Sequence, residues 1–234
     1  MKHAFSFHSI ATVHSCYKEK FGIPRQSGLS ENADSTIELQ APYNHEDYIR
    51  EIEGFSHIWL VFIFHRHLNK DVKPTVRPPR LGGNKRIGVF ASRSPFRPNP
   101  IGISVVELIS VEKCDDKILL HIQGADLLDG TPVLDIKPYV KYADSPANAF
   151  SSYAEYAPEF SLNIIFSDDA EKTIRSEKEQ YPKLRSLIKE TISLDPRPAY
   201  ADDDSKLYGL SLYEFNIKWK VSAGVAEVLL IESV

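Results

Sequence analysis

The sequence predicts a mainly β protein, a barrel or sandwich in its first part, followed by a small α+β unit. Short β-branched and aromatic runs recur between turn residues from position 58 to 139, and alternating βα units are missing. Past a polar, aperiodic stretch the pattern changes to an interrupted helix and a strictly alternating hairpin.

The run Ile58–Phe64 (IWLVFIF) is short, β-branched and aromatic, which predicts a central strand buried on both faces. Ile103–Val111 and Ile118–Ile122 are two more strand-like segments, and Asp115-Asp116 between them predicts a hairpin. Val133–Tyr139 follows the turn signal Asp129-Gly130, with Pro138 at a strand end or sheet edge. Asp144–Ala157 (DSPANAFSSYAEYA) reads as a linker and divides the chain into units 1–145 and 146–234. Asp168–Leu194 predicts one broken helix or two short ones, opening with the capping-box spacing Asp168-x-x-Glu171 and interrupted at Pro182. Tyr213, Phe215, Ile217, Trp219 and Val221 alternate with polar residues, and a Ser-Ala-Gly turn leads into Val225–Ile231, a hairpin with one apolar face. A unit of about 80 residues is marginal alone and is expected to pack on the first unit or on another subunit.

The chain has 234 residues, 42% apolar and 26% charged, which excludes disorder, collagen-like repeats and a coiled coil as global descriptions. Its longest apolar run is that of Ile58–Phe64, against the ~20 residues a membrane helix needs. The N-terminus MKHAFSFHSI has no apolar signal block, so a cytoplasmic protein is expected. Cys16 and Cys114 lie far apart without a C-x-x-C pair, which predicts reduced thiols rather than a disulfide framework or zinc ribbon. Phosphate-loop, dinucleotide, metalloprotease and serine-hydrolase signatures are absent, which disfavours a Rossmann-type enzyme.

Charge is distributed unevenly. From His65 to Ile101 nine basic residues face the single acid Asp71, so a net charge of −4 hides a segment of +8 on a remainder of −12. An anionic partner is implied. Six prolines and three glycines in the same stretch predict loops and short extended pieces, stiff enough to present arginines at low entropic cost. Arg93-Ser-Pro-Phe-Arg97 in this frame suits phosphate or carboxylate recognition, and the alternative is a solvated basic loop paired with acids elsewhere. Gly82, Gly83 and Gly102 allow positive φ or close approach.

His65-Arg66-His67 puts two imidazoles on one face if the strand continues, a spacing usable by a metal, but no nearby ligands complete a site. No metal is therefore expected, and a polar strand end or ligand-facing His65 is the preferred reading. His121 reads as a core or edge histidine. Asp126-Leu-Leu-Asp-Gly130 places two acids at a turn, where Asp129 caps the turn or accepts hydrogen bonds from ribose hydroxyls or an amine. Arg25-Gln-Ser-Gly28 is a polar turn of the same kind.

At EGFSHIWLVFIFH (Glu53–His65), RPPRLGGNKRIGVFASRSPFRPNPIG (Arg77–Gly102), DLLDGTPVLDIKPY (Asp126–Tyr139) and DPRPAY (Asp195–Tyr200) the chain resembles the TsaA-like family, and within it the bacterial tRNA methyltransferases. The resemblance runs from Tyr17–Phe21 to the C-terminal hairpin. It implies a single-sheet β-barrel with a small C-terminal domain, acting as a homodimer. It also implies transfer of methyl from S-adenosylmethionine to N6 of threonylcarbamoyladenosine (t6A) at position 37 of threonine tRNA, giving m6t6A. Membrane and DNA partners are not implied.

Carried over by motif, the cofactor site comprises Gln26, Ser27, Gly28, His65, Arg66, Arg93, Ile103, Asp126, Leu127, Leu128 and Asp129. Arg77, Arg80, Lys85, Arg86 and Arg97 would hold tRNA phosphates around the anticodon loop while the target base leaves its stack. Ser27 departs from the proline expected there, and Ser94-Pro95 is one of several accepted versions of its turn. Should a general base exist, His65 and Asp129 are the candidates. The competing readings are a non-catalytic RNA-binding module using the 65–101 segment and a small barrel binding a metal or other ligand.

Overall fold

The structure, a computed structural model, describes residues 3–197 and 206–234. Of the DPRPAY motif, Pro198, Ala199 and Tyr200 lie outside the described residues.

Strands β1 (Ala11–Ser15), β2 (Asp34–Leu39), β3 (His57–Ile63), β4 (Thr75–Val76), β5 (Ile87–Gly88), β6 (Ile101–Cys114), β7 (Lys117–Gln123) and β8 (Thr131–Pro138) make up the first half. Six of them close into a barrel in the order β1-β2-β7-β6-β3-β8, with every pair antiparallel. The alternative of a sandwich is thereby settled. Closure corrects one expectation: β3 is not buried on both faces. Ile58, Leu60 and Phe62 point into the core while His57, Trp59, Val61 and Ile63 are only half-buried. A strand in a closed barrel has one inner and one outer face, and Trp59 on the outer face donates through its indole N–H to Asp144 at 2.9 Å. β3 is central as expected, bonded to β6 and β8.

The hairpin β6–β7 turns at Asp115, which takes a positive φ. Pro138 ends β8 and has no sheet edge to occupy, because the barrel has none. His121 faces outward rather than into the core, its ring 2.8 Å from Glu112 and 3.4 Å from Thr36. The proline-rich stretch forms the two-stranded ribbon β4–β5 and short 3-10 turns, as its composition predicts.

Helix α1 (Lys141–Asp144) is a single turn, and the segment that follows is mostly exposed and holds one 3-10 turn, Ser152–Ala154. A second sheet, in the order β10-β11-β12-β9, comprises β9 (Asn163–Phe166), β10 (Tyr208–Leu212), β11 (Phe215–Ser222) and β12 (Val225–Ser233). Two helices, α2 (Asp168–Ser176) and α3 (Leu184–Ser193), flank Pro182. The cap of α2 is Ser167 rather than Asp168: its hydroxyl accepts the Ala170 N–H at 3.1 Å, and Asp168 to Glu171 instead load the positive end of the helix with acid.

The second core is not built from the C-terminal half alone. Cys16, Tyr17 and Ala33, from the β1–β2 connection, are buried with Leu187, Ile188, Leu210, Phe215 and Trp219. The small unit thus packs on the first, as its size requires. The two cysteines are free, Cys16 buried and Cys114 exposed. Among the described residues no helix is long and apolar enough to cross a membrane.

Candidate functional site

The C-terminal end of β3, the start of β6 and the approach to β8 lie at one end of the barrel, where a cavity of about 580 Å³ opens. The β1–β2 connection supplies Lys20, Ile23, Pro24, Arg25 and Gln26, and the basic loop supplies Ser92, Arg93, Pro95, Arg97 and Asn99. The size suits a small-molecule ligand, since such pockets span about 300–1,000 Å³ and pair apolar walls with a few polar groups. Phe62, Ile63, Phe64, Ile101, Leu127 and Leu128 form much of the apolar wall.

Gly102 is required here by close approach. A Cβ on it would lie 2.3 Å from the Phe62 ring, so the wall keeps its shape only with glycine at that register. Two residues on, Ser104 is a polar member of the inward row of β6 and is buried. Its hydroxyl donates to Asp126 at 2.5 Å. Burial pushes the Asp126 carboxyl up to about 6, although the Ser104 hydrogen bond and the Arg93 charge pull it the other way. Arg93 in turn donates to the Gln26 amide oxygen at 2.6 Å.

β3 does not continue through the histidines. It stops at Ile63, and His65–His67 form a 3-10 turn after Phe64, whose carbonyl accepts the His67 N–H at 2.7 Å. The i, i+2 same-face arrangement therefore does not arise. No group of three or more His, Cys, Asp or Glu side chains that could hold a metal is found among the described residues. His67 packs edge-on against Phe96 at 4.9 Å, and the Lys20 ammonium lies 3.1 Å and 3.2 Å from its two ring nitrogens. Desolvation, then the charges of Arg66 and Lys20, lowers the pKa of His65; desolvation, then Lys20, Lys70 and His65, lowers that of His67. Both environments favour the neutral imidazole.

Of the eleven residues expected at a cofactor, the cavity brings together Gln26, His65, Arg66, Arg93, Ile103, Asp126, Leu127 and Leu128. Ser27 and Gly28 belong to the adjoining turn, where the Gly28 N–H donates to the Gly124 carbonyl at 2.8 Å. Asp129 lies outside the lining. It borders a second, polar cavity with His14 and Asp34, accepts the Ser15 N–H at 2.9 Å and pairs with Lys18 at 2.9 Å. Burial would raise its pKa, but these partners hold it below the usual carboxylate range.

Of the five expected phosphate contacts only Arg97 lines the cavity, donating to the Ser92 carbonyl at 3.3 Å. Arg77, Arg80, Lys85 and Arg86 are exposed on the β4–β5 lobe, with Arg86 donating to the Thr75 hydroxyl at 3.2 Å. Sequence reading missed Lys20, Asn99, Ser104 and Thr131, and took Arg25 only as the start of a polar turn. Ser104 had a signal, as a polar residue in an otherwise apolar alternating row; Lys20 had none, because only the folded β1–β2 connection brings it to the cavity.

Comparison with known proteins identifies the family and matches the fold. The family profile of the tRNA-methyltransferase O N-terminal domain matches residues 12–145, and that of the TrmO C-terminal domain matches residues 159–234. The chain is 46% identical over 231 residues to the tRNA (adenine(37)-N6)-methyltransferase of Escherichia coli K12, covering 98% of each. It is 41% identical to a putative S-adenosylmethionine-dependent methyltransferase of Pseudomonas aeruginosa, covering 94% of this chain and 93% of the other. Among solved structures, that of TrmO from P. aeruginosa superposes with a TM-score of 0.81 at 33% identity, over 100% of this chain and 99% of that one.

Proposed function

The chain belongs to the tRNA-methyltransferase O family, and from that premise we propose that it methylates N6 of t6A at position 37 of threonine tRNA, giving m6t6A, with S-adenosylmethionine as donor. The coarser activity, S-adenosylmethionine-dependent methylation of tRNA adenine 37 at N6, is that of its relatives. The finer substrate is our reading, and one observation carries it. Among the described residues the cavity lining holds Lys20, Arg25, Arg66, Arg93 and Arg97 against the single carboxylate Asp126. S-adenosylmethionine has two cationic groups and one carboxylate, so it leaves this surplus unmatched. A base bearing an additional carboxylate, flanked by phosphates, matches it.

The donor set fits the cofactor. Asp126 is a half-buried carboxylate suited to an ammonium or ribose hydroxyls, Arg93 is held by Gln26 within reach of a carboxylate, and Leu127 and Leu128 offer an apolar shelf. Ser27 and Gly28 shape the same turn. When bound, S-adenosylmethionine supplies an electrophilic methyl group. The N6 of t6A is part of a urea-like group whose lone pair is delocalised, so loss of its proton aids attack. His65, on the cavity wall in surroundings that favour its neutral form, is the better placed proton acceptor; Asp129 is already engaged by Ser15 and Lys18. Holding donor and acceptor in line supplies the remaining advantage. Arg77, Arg80, Lys85, Arg86 and Arg97 hold phosphates, and residues 1–145 and 146–234 form the cofactor-binding and supporting units of a cytoplasmic homodimer.

Labelled S-adenosylmethionine incubated with threonine tRNA, with or without the threonylcarbamoyl group, tests the proposal. Transfer to the modified tRNA alone is expected. Equal transfer to both would overturn the t6A assignment, and binding without transfer would leave an RNA-binding module.

A further inference from the structure

Exposed aromatic side chains cluster where the interdomain segment meets the basic lobe. Phe90 and Tyr156 are 78% and 81% exposed, so both rings are open to a partner. The segment beyond α1 is clamped onto the lobe at this point. The Tyr153 hydroxyl donates to the carbonyl of Ala91, the neighbour of Phe90, at 3.0 Å, and the Arg80 guanidinium donates to the carbonyl of Tyr156. The two bonds hold together the backbone stretches that carry Phe90, Tyr156 and Arg80. They adjoin the cavity, since Ser92, the residue after Ala91, belongs to its lining.

We propose that Phe90 and Tyr156 form a stacking platform for unpaired bases of the RNA bound at this cavity, making the interdomain segment part of the RNA-binding surface. The inference rests on the tRNA reading above and adds a type of contact that the arginines cannot make. Guanidinium groups on phosphates position a nucleic acid regardless of whether its bases are paired. A flat aromatic face beside cationic side chains binds splayed-out bases, and does so without base-specific hydrogen bonds. The lobe's charge, nine basic residues against one acid from His65 to Ile101, favours RNA over a protein partner on this rim.

Fluorescence anisotropy on the full-length protein, with a t6A-containing anticodon stem-loop and a fully paired duplex of equal length, tests this. Phe90→Ala and Tyr156→Ala should each weaken stem-loop binding roughly tenfold and leave duplex binding unchanged. Tyr156→Phe should bind as the parent does, and Tyr156→Leu should not. Because stacking releases no counterions, the salt dependence should keep its slope in all variants. Equal losses for stem-loop and duplex, or wild-type affinity in both alanine variants, would overturn the platform alone. Loss of the oligomeric state in sedimentation on Tyr156→Ala would overturn it in favour of a subunit contact. If the unsubstituted protein binds neither RNA, the parent tRNA reading fails instead.

Discussion

Asp126 is the residue on which the cavity's chemistry turns, because among the described residues it is the only carboxylate in a lining otherwise rich in cations. Its carboxyl is raised to about 6, so the folded protein binds that proton more tightly than the unfolded chain. Its contribution to stability is complete below the ordinary carboxylate pKa and is lost as pH rises through about 6. For a cationic ligand the sign is opposite: only the ionised form attracts it. Affinity for S-adenosylmethionine, measured by calorimetry, should therefore fall as pH drops below about 6, by up to about tenfold per pH unit. Asp126→Asn should bind weakly and lose that dependence; an unchanged profile would remove Asp126 from the cofactor site. Gly102 makes a complementary case on shape. Gly102→Ala drives a methyl into the Phe62 ring and should destabilise by about 1–3 kcal/mol, read as a lower denaturant midpoint. The lining was legible wherever a distinctive string carried it, as with His65, Arg93 and Asp126. It was illegible at Lys20, whose presence depends on how a connection folds rather than on any local pattern.

At the scale of elements, a helix of the second unit braces a loop of the first. Glu190 on α3 accepts the Ser30 hydroxyl at 2.7 Å and the Asn32 N–H at 3.1 Å, and also takes the Asn32 side-chain amide. These residues follow directly on the turn that carries Gln26 to the cavity. Glu190→Ala would leave the buried Ser30 hydroxyl without its partner, at a cost of about 1–3 kcal/mol, and free the loop. The expected outcome is a melting temperature lower by about 2–4 °C per kcal/mol together with weaker cofactor affinity, while tRNA affinity is retained. If cofactor affinity is retained, the brace serves the fold alone. The pattern of strands such as β6, β7, β11 and β12 was readable because alternation and turn residues act within a few positions of one another. Strands β1, β2, β9 and β10 were not identified, being short, and β1 and β2 take their place from pairing with partners distant in the chain. The assignment of Cys16 and Tyr17 to the second core was equally invisible, since nothing local distinguishes them from barrel residues.

At the scale of the whole molecule, a segment of +8 is set against a remainder of −12, and the fold keeps the two apart by looping that segment out between β3 and β6. The net negative remainder disfavours RNA and the basic segment attracts it, so the charge separation both steers and orients the encounter. The arginines divide into two classes by position. Arg77 and Arg86 are exposed on the lobe, whereas Arg97 lines the cavity itself. If each of the first two neutralises one phosphate, Arg77→Ala and Arg86→Ala should each reduce the slope of log affinity for tRNA against log salt by about 0.7–0.9. Neither should alter cofactor affinity. Arg97→Ala should do both, weakening tRNA binding and cofactor binding together, because Arg97 belongs to the basic segment and also lines the cavity proposed for the cofactor. Titrating the three variants with tRNA at several salt concentrations, and with cofactor alone, separates these outcomes. An unchanged slope for both lobe variants would mean that the phosphate path runs elsewhere, and intact cofactor binding in Arg97→Ala would place the boundary between the two ligands deeper in the cavity.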